Sequence, residues 1–359
     1  MAVANNFTIG ANDEHGLNPA TPGKRTPIMP YINRSFYENE FNRQCKNDFI
    51  FALLRCGFNV FDAKEEINDV SVSTRVARIN RQRLTYLVNF GYNAFGSGAT
   101  FNSINGAINF YSPLNRFSEQ SRILSEDLGV AIAPLPYINF RGTSEINGVG
   151  VLQNVNCPST LLEPGFMTNF NEAKLMLDPD YVLNIAEAVA KEICLNLDVP
   201  FVERDNLSNY PLVKINYRGK SVLLVQYLLN YYGYNLELDG IFGNATKNAV
   251  LDFQQDNNLS ADGIVGVNTY RALLNLGYSN RILRRQSKLS SVKYAQLKLL
   301  SKLYPVGEID GIFGTVTQNA VREFQSENGL EVDGIIGPNT WQKLSLINQG
   351  RPFPTNWIN

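Results

Sequence analysis

The second half of the chain contains an internal duplication. The segment Asp239–Gly243 (DGIFG) recurs as Asp310–Gly314, and Asp262–Gly266 (DGIVG) recurs with one change as Asp333–Gly337 (DGIIG). Both recurrences are offset by 71 residues, and the two segments within each copy begin 23 residues apart. We call these four segments the DGxxG boxes. Equal spacing of paired motifs indicates two copies of one structural unit.

Each copy is predicted to form three short helices around a small apolar core. The DGxxG boxes are predicted to be turns, because Asp can bond to its own backbone and Gly accepts a positive φ. An EF-hand calcium loop needs several alternating acids and a distal Glu, and each box offers one Asp. The predicted core positions are Val222, Val225, Leu228, Leu229, Ala249, Val250, Phe253, Thr269, Leu273 and Leu274 in the first copy, and Val292, Ala295, Leu299, Leu300, Ala320, Val321, Phe324, Thr340, Trp341 and Leu344 in the second.

The length and the net charge of the chain limit the number of domains and the classes of binding partner. A chain of 359 residues predicts two or three domains. Its formal net charge of −1 provides no basic field for nucleic acid or an anionic membrane. We expect no membrane span and see no secretory signal at the N-terminus. The four cysteines form no CxxC pair, so free, largely buried thiols are expected.

The first half of the chain alternates strand-like and helix-like segments. This rhythm predicts an α/β domain with a twisted, mostly parallel or mixed sheet flanked by helices. Together with the duplication, it gives the fold class: an α/β domain followed by two small all-α three-helix repeats. Helices are predicted at Asn42–Leu54, Thr74–Tyr86 and Pro179–Leu197, and strands at Gly57–Val60, Leu87–Phe90 and Ile104–Tyr111.

The two copies resemble the peptidoglycan-binding domain found beside bacterial wall hydrolases. Segments such as VREFQSENGLEVDGIIGPNTWQKL carry the resemblance, which implies non-catalytic attachment to wall glycopeptide. Between the copies, Asn280–Lys288 is basic and favours either an anionic wall polymer or a solvated connector. The predicted divisions are an α/β domain at 1–199, a linker at 200–218, repeats at 219–278 and 292–346, a basic linker at 279–291 and a tail at 347–359.

The first half resembles the zinc-dependent N-acetylmuramoyl-L-alanine amidases. HGLNPATPGKRTP places His15 at a metal-ligand position, and Glu40-Phe-Asn42 resembles the segment with a ligating glutamate. TLLEPGFMTNFNEAKLML, residues 160–177, puts Glu163 in the role of the catalytic carboxylate. The resemblance implies a zinc-bound water attacking the amide between glycan and stem peptide, with Glu163 moving the proton.

One ligand of that family is missing from this chain. The segment Asn89–Ala94 (NFGYNA) aligns with a strand end that carries a second ligating histidine, and Gly91 occupies its position. His15 is the only histidine in the chain, so the zinc site is incomplete. Five residues remain open as substitutes, none at a position defined by spacing: Asp13, Glu14, Tyr92, Asn93 and Cys157.

Simpler interpretations stand beside these assignments. His15 can be an ordinary polar surface residue and Glu40 an acid that favours a helix start. Three functional hypotheses follow: a working amidase with an unorthodox metal site, an inactive amidase domain that binds wall peptide with avidity from the repeats, or a subunit of a homo-oligomer or larger assembly. Peptidoglycan is the expected partner, and the cell wall, a spore or a phage the expected location.

Overall fold

The computed structural model describes residues 2–17, 24–96, 98–288, 290–348 and 350–354. It divides into two compact units. The first comprises the chain up to Met176, Asp180–Phe201 and the segment from Pro352, and the second comprises Leu177–Pro179 and Val202–Arg351. Residues 18–23 of the predicted His15 segment, and residues 349 and 355–359 of the predicted tail, lie outside the described residues.

The first unit is built on a six-stranded mixed sheet. Its strands are β1 (Thr8–Asp13), β2 (Asn59–Asp62), β3 (Tyr86–Phe90), β4 (Ala107–Tyr111), β5 (Phe140–Glu145) and β6 (Ser159–Glu163), in the order β2-β1-β3-β6-β4-β5. The pairs β1–β2, β1–β3, β3–β6 and β4–β5 are parallel, whereas β4 and β6 are antiparallel. The predicted α/β class with a mixed sheet is confirmed.

Helices cover this sheet. They are α1 (Glu38–Arg55), α2 (Val72–Asn80), α3 (Ser118–Ile132), α4 (Gly150–Gln153), α5 (Phe170–Met176) and α6 (Pro179–Asn196). Helix α1 packs on β1, β2 and β3, and α3 packs on β4, β5 and β6. The apolar row predicted for α6 is fully buried: Val182, Ile185, Ala186, Val189 and Ile193.

The prediction of a helix from Thr74 to Tyr86 is wrong at its C-terminal end. Helix α2 ends at Asn80, and Tyr86 already pairs with Ile9 of β1 in the sheet. At this point the chain pairs with β1 instead of continuing the helix, because tertiary contacts outweigh a weak local helix propensity. The predicted strand at Ile104–Tyr111 likewise begins later, at Ala107.

The second unit contains the two repeats, and each repeat consists of three helices. The first repeat has α7 (Lys220–Tyr231), α8 (Asn244–Asp256) and α9 (Val267–Leu273), and the second has α10 (Ser290–Ser301), α11 (Thr315–Glu327) and α12 (Pro338–Leu344). All twenty predicted core positions are buried. The three-helix prediction for both copies is therefore confirmed.

Every DGxxG box is held by a buried glutamine from the preceding helix. In the last box, Gln325 donates to Asp333 Oδ1 at 2.7 Å and to the carbonyl of Ile335 at 2.9 Å, and it accepts from Gly334 N–H at 2.9 Å. We call this arrangement the glutamine network. The other three boxes repeat it with Gln226, Gln254 and Gln296. The boxes are turns, as predicted, and their second residues have φ between +65° and +76°.

The described part of the C-terminal tail from Pro352 onwards belongs to the first unit. The ring of Phe353 meets Phe101 and Phe170 edge-on, with centroids 5.9 and 5.0 Å apart. All four cysteines are free and buried, as expected. Among the described residues, no helix combines the length and hydropathy needed to cross a bilayer.

Candidate functional site

Three adjacent parallel strands end at one edge of the sheet. His15 follows β1, Gly91 follows β3 and Glu163 ends β6. Hydrogen bonds hold these ends together: Glu14 N–H donates to Phe90 O at 3.1 Å, and Gly91 N–H donates to Leu162 O at 3.1 Å. Ligands of open α/β sheets bind beyond the carboxyl ends of parallel strands, so this edge is the candidate site.

Glu38 at the first turn of α1 lies at the centre of this edge. Its Oε1 accepts hydrogen bonds from Tyr92 N–H at 3.0 Å and from Asn42 Nδ2 at 3.1 Å. Its Oε2 lies 3.5 Å from His15 Nε2 and has no hydrogen-bond partner among the described residues. The side chain is 2% exposed. A buried carboxylate oxygen without a partner is costly, and it leaves an acceptor available at the site.

Gly91 lies between the two carboxylates of the site. A Cβ atom at this position would be 3.4 Å from Glu163 Oε1 and 3.4 Å from Glu38 Oε1. The structure thus brings His15 and Glu163, both predicted from the sequence, to a common neighbour in Glu38. The third predicted ligand position faces the same group and carries no donor atom.

Burial sets the protonation of the site. It lowers the pKa of His15 to about 4, helped by the positive charges of Lys24 and Arg75, so the imidazole is neutral at pH 7. It raises the pKa of Glu38 to about 7. It raises the pKa of Glu163 to about 8, and the neighbouring Glu38 opposes ionisation further. The pair of acids therefore holds protons near neutral pH and can donate as well as accept hydrogen bonds.

Glu40, the predicted ligand, is occupied outside this cluster. Its Oε1 accepts from Tyr37 N–H at 2.9 Å at the start of α1. Its Oε2 pairs with Arg34 Nη2 at 2.5 Å. These contacts match the alternative interpretation of Glu40 as an acid at a helix start. Sequence reasoning missed Glu38, although Glu38 begins the buried row that continues through Asn42, Cys45 and Phe49.

Asp13 and Glu14, two of the residues left open as a third ligand, pair with buried cations. Asp13 Oδ1 lies 2.7 Å from Lys46 Nζ, and the Asp13 carboxylate is also near Lys64. Glu14 Oε2 lies 3.2 Å from Arg75 Nη1. The Asp13 and Glu14 carboxylates therefore neutralise these buried cations.

The other three open candidates make their contacts away from His15. Asn93 Oδ1 accepts from the N–H of Ala94 at 2.8 Å. Tyr92 is buried, with its ring edge-on to Phe41 at 5.6 Å and its hydroxyl without a hydrogen-bond partner among the described residues. Cys157 belongs to an apolar cluster, and burial raises the pKa of its thiol to about 12. None of these contacts directs a donor towards His15.

Asn39 ties the buried charges to the site. Its Nδ2 donates to Asp13 Oδ2 at 2.6 Å and to the carbonyl of His15 at 2.9 Å. His15 itself has a φ of +62°, a conformation that a residue without local support rarely adopts. The Asp13–Asn39 contact thus fixes both the turn at His15 and the first turn of α1.

The donor set does not fit a catalytic zinc. Such a site uses three protein ligands and leaves a fourth position for water. His15 Nε2 and the unpaired Glu38 Oε2 are two suitable donors, and Gly91 removes the third. Among the described residues, no group of three or more His, Cys, Asp or Glu side chains is arranged to hold a metal ion.

Comparisons with known proteins agree with both halves of this architecture. The N-acetylmuramoyl-L-alanine amidase family, which is generally zinc-dependent, matches residues 15–194. The peptidoglycan binding domain family matches residues 218–273 and 288–344.

Individual relatives match in part. An N-acetylmuramoyl-L-alanine amidase of Mycobacterium tuberculosis is 38% identical over 122 residues, which are 32% of this chain and 30% of that protein. A spore cortex-lytic enzyme of Bacillus subtilis is 41% identical over 68 residues, 19% of this chain and 22% of that protein. The chain spans less than half the length of these curated relatives.

Solved structures resemble the first unit. An N-acetylmuramoyl-L-alanine amidase from Clostridium difficile 630 aligns with 54% of this chain and 97% of its own, at 24% identity and a TM-score of 0.45. The family match covers half of the chain and includes every residue of the candidate site. The chain belongs to the N-acetylmuramoyl-L-alanine amidase family and carries two peptidoglycan-binding domains after its amidase domain.

Proposed function

We propose that this chain is a peptidoglycan-binding protein whose amidase domain does not hydrolyse the wall through zinc. The observation that carries the proposal is Gly91, which faces Glu38 and Glu163 at 3.4 Å without a donor atom. His15 is the only histidine, and among the described residues no third His, Cys, Asp or Glu side chain is arranged with a pair of others to hold a metal ion, so two donors remain. Two donors hold zinc more weakly than the three of a catalytic site.

The domain then acts as a receptor for wall peptide. The neutral His15 imidazole, the carboxyl of Glu163 with its pKa near 8 and that of Glu38 with its pKa near 7 offer donors and acceptors at the strand ends. Amides and carboxylates of a stem peptide match such groups. The two repeats add further attachment, and linked weak sites gain avidity. Because matched relatives include spore cortex-lytic enzymes, we place this binding at the cell wall or spore.

Metal analysis and a wall assay on the purified chain test the proposal together. After incubation with zinc and gel filtration, we expect no stoichiometric zinc by plasma mass spectrometry. The chain should sediment with purified sacculi and release no soluble stem peptide. One zinc per chain together with released stem peptide would show a working amidase instead.

The alternative is an amidase fold used as a structural or assembly subunit, including a homo-oligomer. It predicts particles larger than one chain in light scattering and no sedimentation with sacculi. A monomer that sediments with sacculi supports wall binding against this alternative.

A further inference from the structure

A cavity of about 260 Å³ opens between the two helical repeats of the second unit. The first repeat contributes an aromatic wall of Tyr232, Tyr234 and Phe253. The second repeat contributes the start of α10 with Ser290 and Lys293, and also Asp310. Asp310 Oδ1 already accepts from Gln296 Nε2 at 3.0 Å and from the N–H of Ile312 at 2.8 Å. Because both repeats line the cavity, neither repeat contains it alone. The duplication therefore creates a site that a single three-helix domain lacks.

The start of α10 contributes positive charge to the cavity lining. Helix α10 begins at Ser290, and a helix N-terminus carries a partial positive charge. The Lys293 ammonium lies 4.2 Å from the centre of the Tyr231 ring and donates to the Tyr231 carbonyl. Burial lowers the pKa of Lys293 to about 8, which is the expected effect of removing a cation from water without an anion beside it. Lys288 adds a second ammonium at the rim.

Ser290 presents an unused hydroxyl at the start of α10. The residue is 5% exposed, and its Oγ is buried without a hydrogen-bond partner among the described residues. Its backbone N–H donates to Asn257 Oδ1 at 3.0 Å, which fixes the start of the helix against the first repeat. A buried hydroxyl without a partner costs free energy unless a ligand supplies one. Together with Lys293, this donor suits a carboxylate.

The first repeat also contributes an acid to the lining. Asp256, at the end of α8, is exposed and forms no hydrogen bond or ion pair within the described chain. It lies close enough to Tyr234 to help burial raise the pKa of that phenol to about 12. A cavity lined by a cation, an acid and aromatic rings matches a ligand that carries a carboxylate, an amine and apolar surface. A neutral glycan would contact the aromatic rings but would form no ion pair with Lys293 or Asp256.

We propose that this inter-repeat cavity binds the stem peptide of peptidoglycan, with a peptide carboxylate at Ser290 and Lys293 and a peptide amine at Asp256. The proposal rests on the proposed function of wall binding and specifies which part of the wall polymer the repeats recognise. The methyl groups of the alanine residues would contact Tyr232, Tyr234 and Phe253.

Calorimetric titration of the full chain with defined probes tests this assignment. The probes are the tetrapeptide L-Ala-γ-D-Glu-L-Lys-D-Ala, the same peptide with its carboxylates amidated, and chitotetraose. We expect binding of the acid form and loss of binding on amidation. Ser290→Ala and Lys293→Met should each raise the Kd at least about tenfold, since each removes a donor to a charged group.

Two features make the titration decisive. Ser290→Ala removes a buried hydroxyl that has no partner, so its melting temperature should equal or exceed that of the wild type, and lost binding cannot reflect misfolding. Lys343→Met, at an exposed lysine outside the cavity, is the matched control and should bind normally.

Sedimentation with sacculi separates failure of this inference from failure of the proposed function. If the wild type sediments but the tetrapeptide binds Ser290→Ala and Lys293→Met unchanged, or only chitotetraose binds, the cavity assignment is wrong and wall binding stands. If the wild type neither sediments nor binds any probe, both proposals are wrong.

Discussion

At the scale of single residues, Gly91 has room for a larger side chain. Its φ is not positive, and the nearest obstacle to a Cβ is the flexible end of Leu161, at 3.1 Å. We predict that Gly91→His binds one zinc per chain, because an imidazole there would join His15 and Glu38 as a third donor. Zinc content by plasma mass spectrometry measures this, and Gly91→Ala, which fills space without a donor, should remain free of zinc. Equal zinc in the wild type would contradict the incomplete site.

The Gly91→His variant also distinguishes the role of Glu38 from that of Glu40. In Gly91→His, we predict that Glu38→Gln abolishes zinc binding, because it neutralises the carboxylate whose Oε2 lies 3.5 Å from His15. Glu40→Gln should retain the metal and lower stability by about 1 kcal/mol through weaker contacts at the helix start. Zinc titration and urea unfolding measure the two effects. Loss of zinc in Glu40→Gln alone would favour the sequence-based assignment.

The pKa of Glu163 predicts a pH dependence of stability. With its folded pKa raised from 4.5 to about 8, Glu163 keeps a proton in the folded state that it loses when the chain unfolds. The unfolding free energy contributed by this group therefore falls as the pH rises through this range, by at most roughly 1.4 kcal/mol per unit. His15, with its pKa lowered from 6.5 to about 4, gives the opposite slope only below about pH 6.5.

Glu38, with its pKa raised to about 7, contributes the same decline up to that pH, so the window for Glu163 lies between about pH 7 and 8. Urea unfolding followed by circular dichroism should show a shallower decline in Glu163→Gln than in the wild type. Glu308→Gln, at an exposed position, serves as the control and should keep the wild-type slope. Identical slopes in all three proteins would mean that Glu163 is ionised in the folded state at these pH values.

The residues of the site were only partly predictable. His15 and Glu163 follow from segments that resemble the family, and the helical row through Asn42, Cys45 and Phe49 contains enough information to prefer Glu38 over Glu40. The 3.5 Å approach of His15 to Glu38 could not be inferred, because it depends on how the α1 start packs over the end of β1. Spacing along one chain does not define such a contact.

At the scale of elements, the glutamine networks explain why the DGxxG boxes recur. Gln325 alone satisfies Asp333, the Ile335 carbonyl and the Gly334 N–H. We predict that Gln325→Ala destabilises the second repeat by about 2–4 kcal/mol, because it leaves several buried polar groups unpaired. Urea unfolding measures the loss, and Gln342→Ala, at an exposed glutamine of α12, should be neutral. Equal stability of the two variants would assign the turns to the Asp and Gly residues alone.

The elements were predictable where one pattern was strong. The 71-residue repeat and its helical apolar rows located six helices, because each repeat has a mostly local core. The sheet was harder. The sequence analysis missed helix α3 and strand β5, which has the polar sequence FRGTSE. Strand β5 lies at the edge of the sheet and is held by its pairing with β4, so its sequence lacks the apolar pattern that predicts a strand.

At the scale of the whole molecule, the near balance of charge predicts how wall binding responds to salt. With 32 basic and 33 acidic residues, the chain has no broad positive field, and exposed charges are screened beyond about 10 Å at 0.1 M salt. Local contacts in pockets such as the one at Lys293 are screened less. We therefore predict that sedimentation with sacculi changes by less than about threefold between 0.05 and 0.5 M NaCl.

Sacculi stripped of anionic polymers provide the control for this salt series, because a chain that recognises stem peptide should bind them as well as intact sacculi. A steep loss of binding with salt, seen only on intact sacculi, would instead assign attachment to the basic segment Asn280–Lys288 and an anionic wall polymer. The salt dependence and the polymer dependence together distinguish the two modes of attachment. Long-range attraction to an anionic polymer weakens as the ionic strength rises. A carboxylate bound at a helix start and beside a buried ammonium is instead sheltered from added ions.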